Sequence, residues 1–300
     1  MTLRVLDPGL HSLVVDFGRP GYRSLGVAVG GAADRTALAL GNALVGNQPD
    51  AAALEICLAG PTLQAACELA CVVYGAPFEL HSDRQRLSAG KTFTLHTDDI
   101  IHVQGTPEGM RAYLCVRGGV DVPLVLGSRS ALQPLRTGDE LRCTPGIIHG
   151  RFVHLNLKWN QQPKLLRVVD GPEADWFRQD EFYVQEFTVA PASDRMGLRL
   201  LGSPLSMPPR ELISEPVCPG AVQISRDGQC ILLGMDGQTI GGYPKIAHVI
   251  SADLDKLGQL RPEDRLRFER SNLEEAEAIY RHKQAELGEW LVRLRVTLGN

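Results

Sequence analysis

The chain has 300 residues, 44% of them hydrophobic and 22% charged, with a formal net charge of -4. This length and balance fit two globular domains or one large β unit and exclude compositional disorder. The acidic balance offers no field for nucleic acid or anionic membrane, and no apolar run nears the ~20 residues of a membrane-spanning helix.

The N-terminal Met1-Thr-Leu-Arg-Val-Leu-Asp7 lacks the apolar core of a secretory signal. Asp16-Phe-Gly-Arg-Pro-Gly-Tyr-Arg23 follows, then Gly30-Gly-Ala-Ala-Asp34. Arg19 and Arg23 flank a Pro-Gly turn and offer planar forks suited to a carboxylate or a carboxybiotin-like anion. The alternative is that Arg19 pairs with an acid such as Asp16 or Asp34 and fixes the loop. A first helix is predicted from Asp34, its N-cap, to Val45, with Gly46 as the stop. Asn42-Ala-Leu-Val-Gly-Asn47 reads as helix-end chemistry. In Leu54-Glu-Ile56, alternation turns Glu55 away from its two apolar neighbours, so it is inward, paired, or in a site.

Short β-rich runs come next: Ala70–Tyr74, Ile100–Val103, Arg111–Val116, Arg151–Leu157, Leu165–Val169, Ala221–Ile224, Cys230–Leu233 and Arg265–Phe268. Several alternate apolar and polar residues, and their number and spacing predict barrels or sandwiches. A short pattern recurs in Thr97-Asp-Asp-Ile-Ile-His102, Thr137-Gly-Asp-Glu-Leu-Arg142 and Pro262-Glu-Asp-Arg-Leu-Arg267. It reads as a common acidic turn entering a strand, or as the trace of two related β domains. Asn160-Gln-Gln-Pro163 is polar and proline-ended, which sets the predicted domains at 1–160 and 161–300.

In Ser193-Asp-Arg-Met-Gly197, Asp194 and Arg195 are adjacent, so in a loop one anchors backbone while the other meets a ligand. Asp227-Gly228 is a hairpin turn. A short helix is predicted around Ala252–Leu257 and a long one from Leu273 to about Arg295. Ser271 and Glu274 form its expected capping box, and Ala276, Ile279, Tyr280, Leu287, Leu291 and Leu294 its apolar stripe.

The seven cysteines are odd in number and lie mostly in apolar strands. They read as buried, reduced thiols of a cytoplasmic protein. Cys67 and Cys71 lack a second His or Cys pair at zinc spacing, so no metal is expected. Gln85 stands where Gly90-Lys91-Thr92 would need the leading glycine of a phosphate loop, and no Gly-x-Ser-x-Gly elbow occurs.

The densest chemistry is in Asp236-Gly-Gln-Thr-Ile-Gly-Gly-Tyr-Pro-Lys245. Asp236 with Lys245 reads as an acid–base pair or as a salt bridge only; proton transfer needs hydrogen-bond reach and shifted proton affinities. Gln223, Gln238 and Tyr243 complete the polar set.

These segments in this order resemble the family of the C-type subunits of 5-oxoprolinase, also called allophanate hydrolase subunit 2-like or biotin-dependent carboxyltransferase-like. The matching residues are Val15–Tyr22, Gly30–Asp34, Asn42–Asn47, Leu54–Ile56 with Gly60-Pro61, Tyr113–Val120, Val125–Arg129, Ser193–Gly197, Ser214-Glu215, Gly220–Gln223 and Asp236–Lys245. The resemblance covers roughly residues 3 to 268. Two departures are Ser130-Ala131, where the family usually has Ser-Thr, and Ile240, where it usually has a second threonine or similar residue.

The resemblance implies cyclophilin-like β-barrel units; with the helices read above, the expected fold is mainly β, two such barrel units with a few short helices and a C-terminal amphipathic helix. It implies one member of an ATP-dependent 5-oxoprolinase complex that opens 5-oxo-L-proline to L-glutamate. Such a chain is active only with a smaller B-type sister and an A-type third chain, with ATP bound by a partner. Because a related domain pair in urea carboxylase moves a carboxyl group from carboxybiotin to urea, a biotin-dependent carboxyltransferase is the alternative. A non-catalytic regulatory partner of a kinase-inhibitor-like sister is another. On the main reading Asp236 and Lys245 are catalytic, moving protons or orienting the labile carbonyl. Arg19 and Arg195 hold an anionic group, either the substrate carboxylate or a phosphorylated or carboxylated intermediate, and with Asp34 they supply the facing wall of the site. Gly241 and Gly242 bring backbone amides to a developing oxyanion, and Gln223, Gln238 and Tyr243 position the ring.

Overall fold

The computed structural model describes residues 2–84, 86–153, 164–207, 209, 210 and 212–296. These group into two compact units. One holds the described residues of Met1–Arg19, Asp34–Asn160 and Glu286–Asn300, the other those of Pro20–Ala33 and Gln161–Ala285. The sequence boundary at Asn160–Pro163 lies outside the described residues, as do residues 154–157 of the run read from Arg151.

The first unit runs through β1 (Thr2–Asp7), β2 (Ser12–Val15), α1 (Arg35–Val45), β3 (Ala53–Cys57), β4 (Thr62–Ala65), β5 (Leu69–Gly75) and β6 (Glu79–Ser82). It continues through β7 (Arg86–Ser88), β8 (Phe93–Leu95), β9 (Ile100–Val103), β10 (Arg111–Val116), β11 (Val120–Asp121) and β12 (Glu140–Cys143). Two sheets result, ordered β11-β12-β1-β4-β9-β6-β7 and β2-β3-β10-β5-β8. They share one core, with Leu3, Leu63 and Ile101 from the first and Leu54, Val73 and Leu114 from the second.

Strands β5 and β10 are buried at nearly every position because both faces of their sheet are covered. Cys71, Val73 and Leu114 enter the shared core. Tyr74 and Cys115 meet α1, where a Cβ on Gly41 would fall 3.1 Å and 2.8 Å from them. The helix begins as expected: Asp34 accepts from the Ala37 N–H at 2.9 Å, and Gly46 closes the end at φ 87°.

The recurrent acidic pattern is one turn built three times. Asp99, Asp139 and Asp264 accept from the N–H groups of His96, Arg136 and Arg261. Each returns its own N–H to that same residue's carbonyl. The residue before each aspartate takes positive φ, at 66° for Asp98, 91° for Gly138 and 72° for Glu263. Its N–H and the aspartate carbonyl then pair with one backbone residue: Ala65, Val5 and Val189 in turn. Two copies stand in the first unit and one in the second.

The second unit runs through β13 (Lys164–Asp170), α2 (Gln179–Val184), β14 (Phe187–Val189), β15 (Gly197–Leu201), β16 (Glu215–Pro216) and β17 (Ala221–Ile224). Then come β18 (Cys230–Leu233), β19 (Ile240–Gly241), β20 (Lys245–Val249), α3 (Leu254–Leu257) and β21 (Arg265–Arg270), and the helix α4 (Leu273–Val296), whose residues from Glu286 on are grouped with the first unit. Seven strands close a barrel in the order β13-β20-β17-β18-β15-β14-β21, and β16 and β19 form a separate ribbon. Alternate residues fill the barrel, among them Leu166, Val168, Leu198, Leu200, Val222, Ile224, Leu266 and Phe268. Phe182 of α2 stacks on Phe268 with centroids 4.7 Å apart. The mainly β architecture with few helices is thus observed.

The capping box of α4 is shifted by one residue from the sequence expectation. The helix starts at Leu273, so Asn272 is the N-cap and Glu275, not Glu274, is the third helical residue. The Glu275 N–H donates to Asn272 Oδ1 at 2.9 Å, and the Asn272 N–H returns to Glu275 Oε2 at 3.4 Å. Of the expected stripe only Leu294 is fully buried, and Tyr280 is exposed. No described helix is long and apolar enough to cross a membrane.

Candidate functional site

Val222 and Ile224 fill the barrel, so Ala221 and Gln223 lie on the outer face of β17, where Ala221 clusters with Val217 and Leu233. The β16–β19 ribbon lies against this patch. Gln223 is only 1% exposed. Gly241 permits that burial: a Cβ there would fall 2.6 Å from Gln223 Nε2 and 2.8 Å from Gln238 Nε2. Gln223 Nε2 also donates to the Tyr243 carbonyl at 3.5 Å. The structure therefore brings Gln223, Gln238, Gly241 and Tyr243 together. Gly242 is exposed, and its Cβ position lies 3.2 Å from Ser214 Oγ.

Lys245 stands where a β-bulge shifts the register of β17 against β20, a device that re-aims side chains. Its Nζ lies 3.0 Å from Glu215 Oε2 and 3.2 Å from Glu173 Oε2. Its backbone N–H donates to Glu173 Oε2 at 2.8 Å. Glu173 arrives on Gly171-Pro172, and Gly171 sits so close that a Cβ would meet the Lys245 carbonyl oxygen at 2.1 Å. One ammonium facing two carboxylates leaves the cluster net negative. Lys245 and Glu173 are both buried, so removing Lys245 strands the Glu173 charge, whereas Lys245 without Glu173 keeps Glu215 as a partner.

Asp236 and Lys245 are not partners, which corrects the pairing read from the sequence. Asp236 accepts a bidentate pair from Arg195, at 2.7 Å to Nε and 3.1 Å to Nη2. Arg195 Nη2 also donates to the Gly31 carbonyl at 2.7 Å. Asp194 anchors the loop instead, accepting from the N–H groups of Met196 and Gly197. The adjacent acid and base thus divide their work: Asp194 holds backbone and Arg195 reaches across to Asp236.

Arg19 and Asp34 belong to the first unit. Arg19 is buried and donates to the carbonyls of Ser130 at 2.5 Å and Val125 at 3.3 Å. Its partners are main-chain carbonyls rather than Asp16 or Asp34. Asp16 instead ties the two loops together, accepting from the Gly18 and Arg129 N–H groups and the hydroxyls of Ser128 and Ser130. Burial would raise its proton affinity, but these hydrogen bonds outweigh it and hold the carboxyl below its ordinary range. Asp34 caps α1, and its N–H donates to the Tyr113 hydroxyl at 2.8 Å.

Glu173 and Glu215 were absent from the sequence-derived site. Ser214-Glu215 carried a motif signal, whereas Glu173 offered only a Gly-Pro turn. Gly90-Lys91-Thr92 leads into the strand β8 rather than a helix, so it does not build the loop-to-helix cradle of a nucleotide phosphate site.

A family model described as the carboxyltransferase domain, subdomain A and B, matches residues 25–270. The chain belongs to this family. Within the carboxyltransferase-domain family, the 5-oxoprolinase C subunit of Escherichia coli (strain K12) is 34% identical, over 91% of this chain and 93% of its own. The 5-oxoprolinase C subunit of Haemophilus influenzae is 33% identical, over 94% of this chain and 96% of its own. Urea amidolyase of Saccharomyces cerevisiae is 28% identical over 89% of this chain, which spans only 16% of that protein. The crystal structure of Kluyveromyces lactis urea carboxylase matches with a TM-score of 0.87 at 26% identity, covering 96% of this chain and 29% of that one.

Proposed function

We propose that this chain is the C-type member of an ATP-dependent 5-oxoprolinase complex that opens 5-oxo-L-proline to L-glutamate. It works in the cytoplasm with a smaller B-type sister and an A-type third chain. The observation that carries this reading is the near full-length similarity to two 5-oxoprolinase C subunits, at 93% and 96% of their lengths. The urea amidolyase match takes in only 16% of that protein.

The geometry supports roles for individual residues. Amide side chains offer both donors and an acceptor, so Gln223 and Gln238 suit the N–H and C=O of a lactam ring. Lys245, held between Glu173 and Glu215, orients the lactam carbonyl or delivers a proton to the ring nitrogen as the amide bond opens. Asp236 acts through Arg195, fixing the guanidinium for an anionic substrate group. Bound to a partner, ATP supplies the driving force for ring opening; the Gly90–Thr92 segment offers it no phosphate cradle.

The test is glutamate release from 5-oxoproline by the three purified proteins with ATP. Lys245→Ala is expected to lower turnover by about 100-fold or more, the scale of a positioned proton-transfer group. Turnover equal to wild type in that variant, with the complex intact, would remove Lys245 from the site. The family description and the urea amidolyase similarity favour a second reading, a biotin-dependent carboxyl transfer. There avidin abolishes turnover, whereas a 5-oxoprolinase is indifferent to it.

A further inference from the structure

Six of the seven cysteines are buried, and Cys218 alone is exposed. It follows the β16 strand of the ribbon, and its Sγ lies 3.0 Å from His248 Nε2 on β20. The other imidazole nitrogen, Nδ1, lies 3.0 Å from the Val249 carbonyl. A carbonyl only accepts, so Nδ1 carries a proton and Nε2 is turned toward the sulfur. Nε2 then either receives the thiol proton or, once protonated, donates to a thiolate. This is a nucleophile, a base, and a third group that orients the base.

Arg23 adds a cation. Its Nη2 donates to the carbonyls of Val217 and Gln238, which ties the guanidinium beside Cys218. Its Nη1 is buried without a hydrogen-bond partner among the described residues. The register and packing partners of His248 are uncharged: Val169 on β13, Ala221 on β17, and Leu254 of α3 near its ring beside Gly220. The hydrogen bond to His248 lowers the Cys218 pKa against the opposing effect of burial, and the charges of His248 and Arg23 add to it. For His248, burial disfavours the cation, but the Cys218 contact and the Val249 carbonyl outweigh it and raise its pKa. A positive guanidinium beside the sulfur also disfavours a metal ion there and favours an anion.

We propose that Cys218 and His248 form a thiolate–imidazolium pair that serves as a modification site for hydrogen peroxide. The Cys218 thiolate attacks one peroxide oxygen. The S–O bond forms as the O–O bond breaks, and sulfur gives up two electrons. The departing hydroxide takes the proton from His248 Nε2 and leaves as water, and Cys218 becomes a sulfenic acid. Cys230, the other cysteine of this unit, is buried in the barrel at 1% exposure, so reduction of the sulfenic acid falls to an external thiol.

The full chain is treated with hydrogen peroxide at about pH 6.5, trapped with dimedone and mapped by peptide mass spectrometry. An ordinary thiol is only about 1% thiolate at that pH. The expected result is an adduct on Cys218 and none on the buried cysteines. His248→Gln is expected to slow adduct formation about tenfold at pH 6.5 and to approach the wild-type rate above about pH 9, where any thiol ionises. Iodoacetamide alkylation of the unmodified chain supplies an independent profile: a plateau below about pH 7 for the ion pair, against a tenfold rise per pH unit toward about 8.5 for an unassisted thiol. Absence of a Cys218 adduct, an unchanged rate in His248→Gln at pH 6.5, or an unassisted alkylation profile would overturn the proposal. None of these readouts requires catalytic activity.

Discussion

Tyr113 and Tyr74 are register partners on β10 and β5, and both are buried on the α1 side of the sheet. Their hydroxyls differ in surroundings. Tyr113 donates to Glu55 Oε2 at 2.9 Å and accepts from the Asp34 N–H, while Glu55 Oε1 lies 3.3 Å from Arg111 Nε. The Tyr74 hydroxyl has no hydrogen-bond partner among the described residues. Tyr113→Phe therefore takes one hydrogen bond from each of two buried groups and is expected to cost about 1–3 kcal/mol in urea unfolding. Tyr74→Phe removes an unpaired hydroxyl and is expected to leave stability unchanged or higher. Equal losses in the two variants would refute the assignment of partners. Glu55 was legible from the sequence as a residue out of place, because it interrupts an apolar strand. It is inward and paired. The Lys245–Glu173 contact was not legible, since its partners stand 72 residues apart and only the pairing of β13 with β20 unites them.

At the scale of elements, local signals were read well where local physics decides. The runs at β9, β10, β17 and β18 were assigned with the observed bounds, because four to six alternating or apolar residues suffice to mark a strand. The two-residue strands β11, β16 and β19 carry no periodicity and exist only through their pairing partners. The acidic turn shows a second kind of legibility, in which three similar words encode one hydrogen-bond pattern. The α4 cap shows how a single residue misleads: Ser271 and Asn272 are both good caps, and the helix starts after the second. This offers a discriminating test. Glu275→Ala removes the reciprocal bond to Asn272 and is expected to cost about 0.5–1 kcal/mol. Glu274→Ala, one position away, is expected to cost less than half of that. Thermal unfolding of the two variants decides, and the reverse order would restore the cap read from the sequence.

At the scale of the whole molecule, each unit carries a carboxylate that its fold keeps ionised. In the first unit this is Asp16, held by loop hydrogen bonds. In the second it is Asp253, fully buried, with Arg167 donating from Nη2 at 2.6 Å and from Nε and the backbone N–H at 3.0 Å. Burial alone would raise the Asp253 pKa, but these bonds and the nearby Lys256 ammonium hold it below the ordinary carboxylate range. A carboxyl with a folded pKa below its unfolded value stabilises the fold above the unfolded pKa and loses that contribution as pH falls through the folded one. Both units are therefore expected to weaken below about pH 4. Asp16→Asn and Asp253→Asn keep the shape but remove the titration. Each is expected to lower stability at neutral pH, by about 2 kcal/mol for Asp253→Asn given its charged hydrogen bonds. Each gap should narrow as wild type approaches about pH 3. Hydrogen exchange followed peptide by peptide adds location: Asp253→Asn should first expose β13 and its barrel neighbours, Asp16→Asn the β2 region. A gap that stays constant between about pH 7 and 3 would mean that neither carboxylate gains its charge-dependent stability from the hydrogen bonds and ion pairs that surround it.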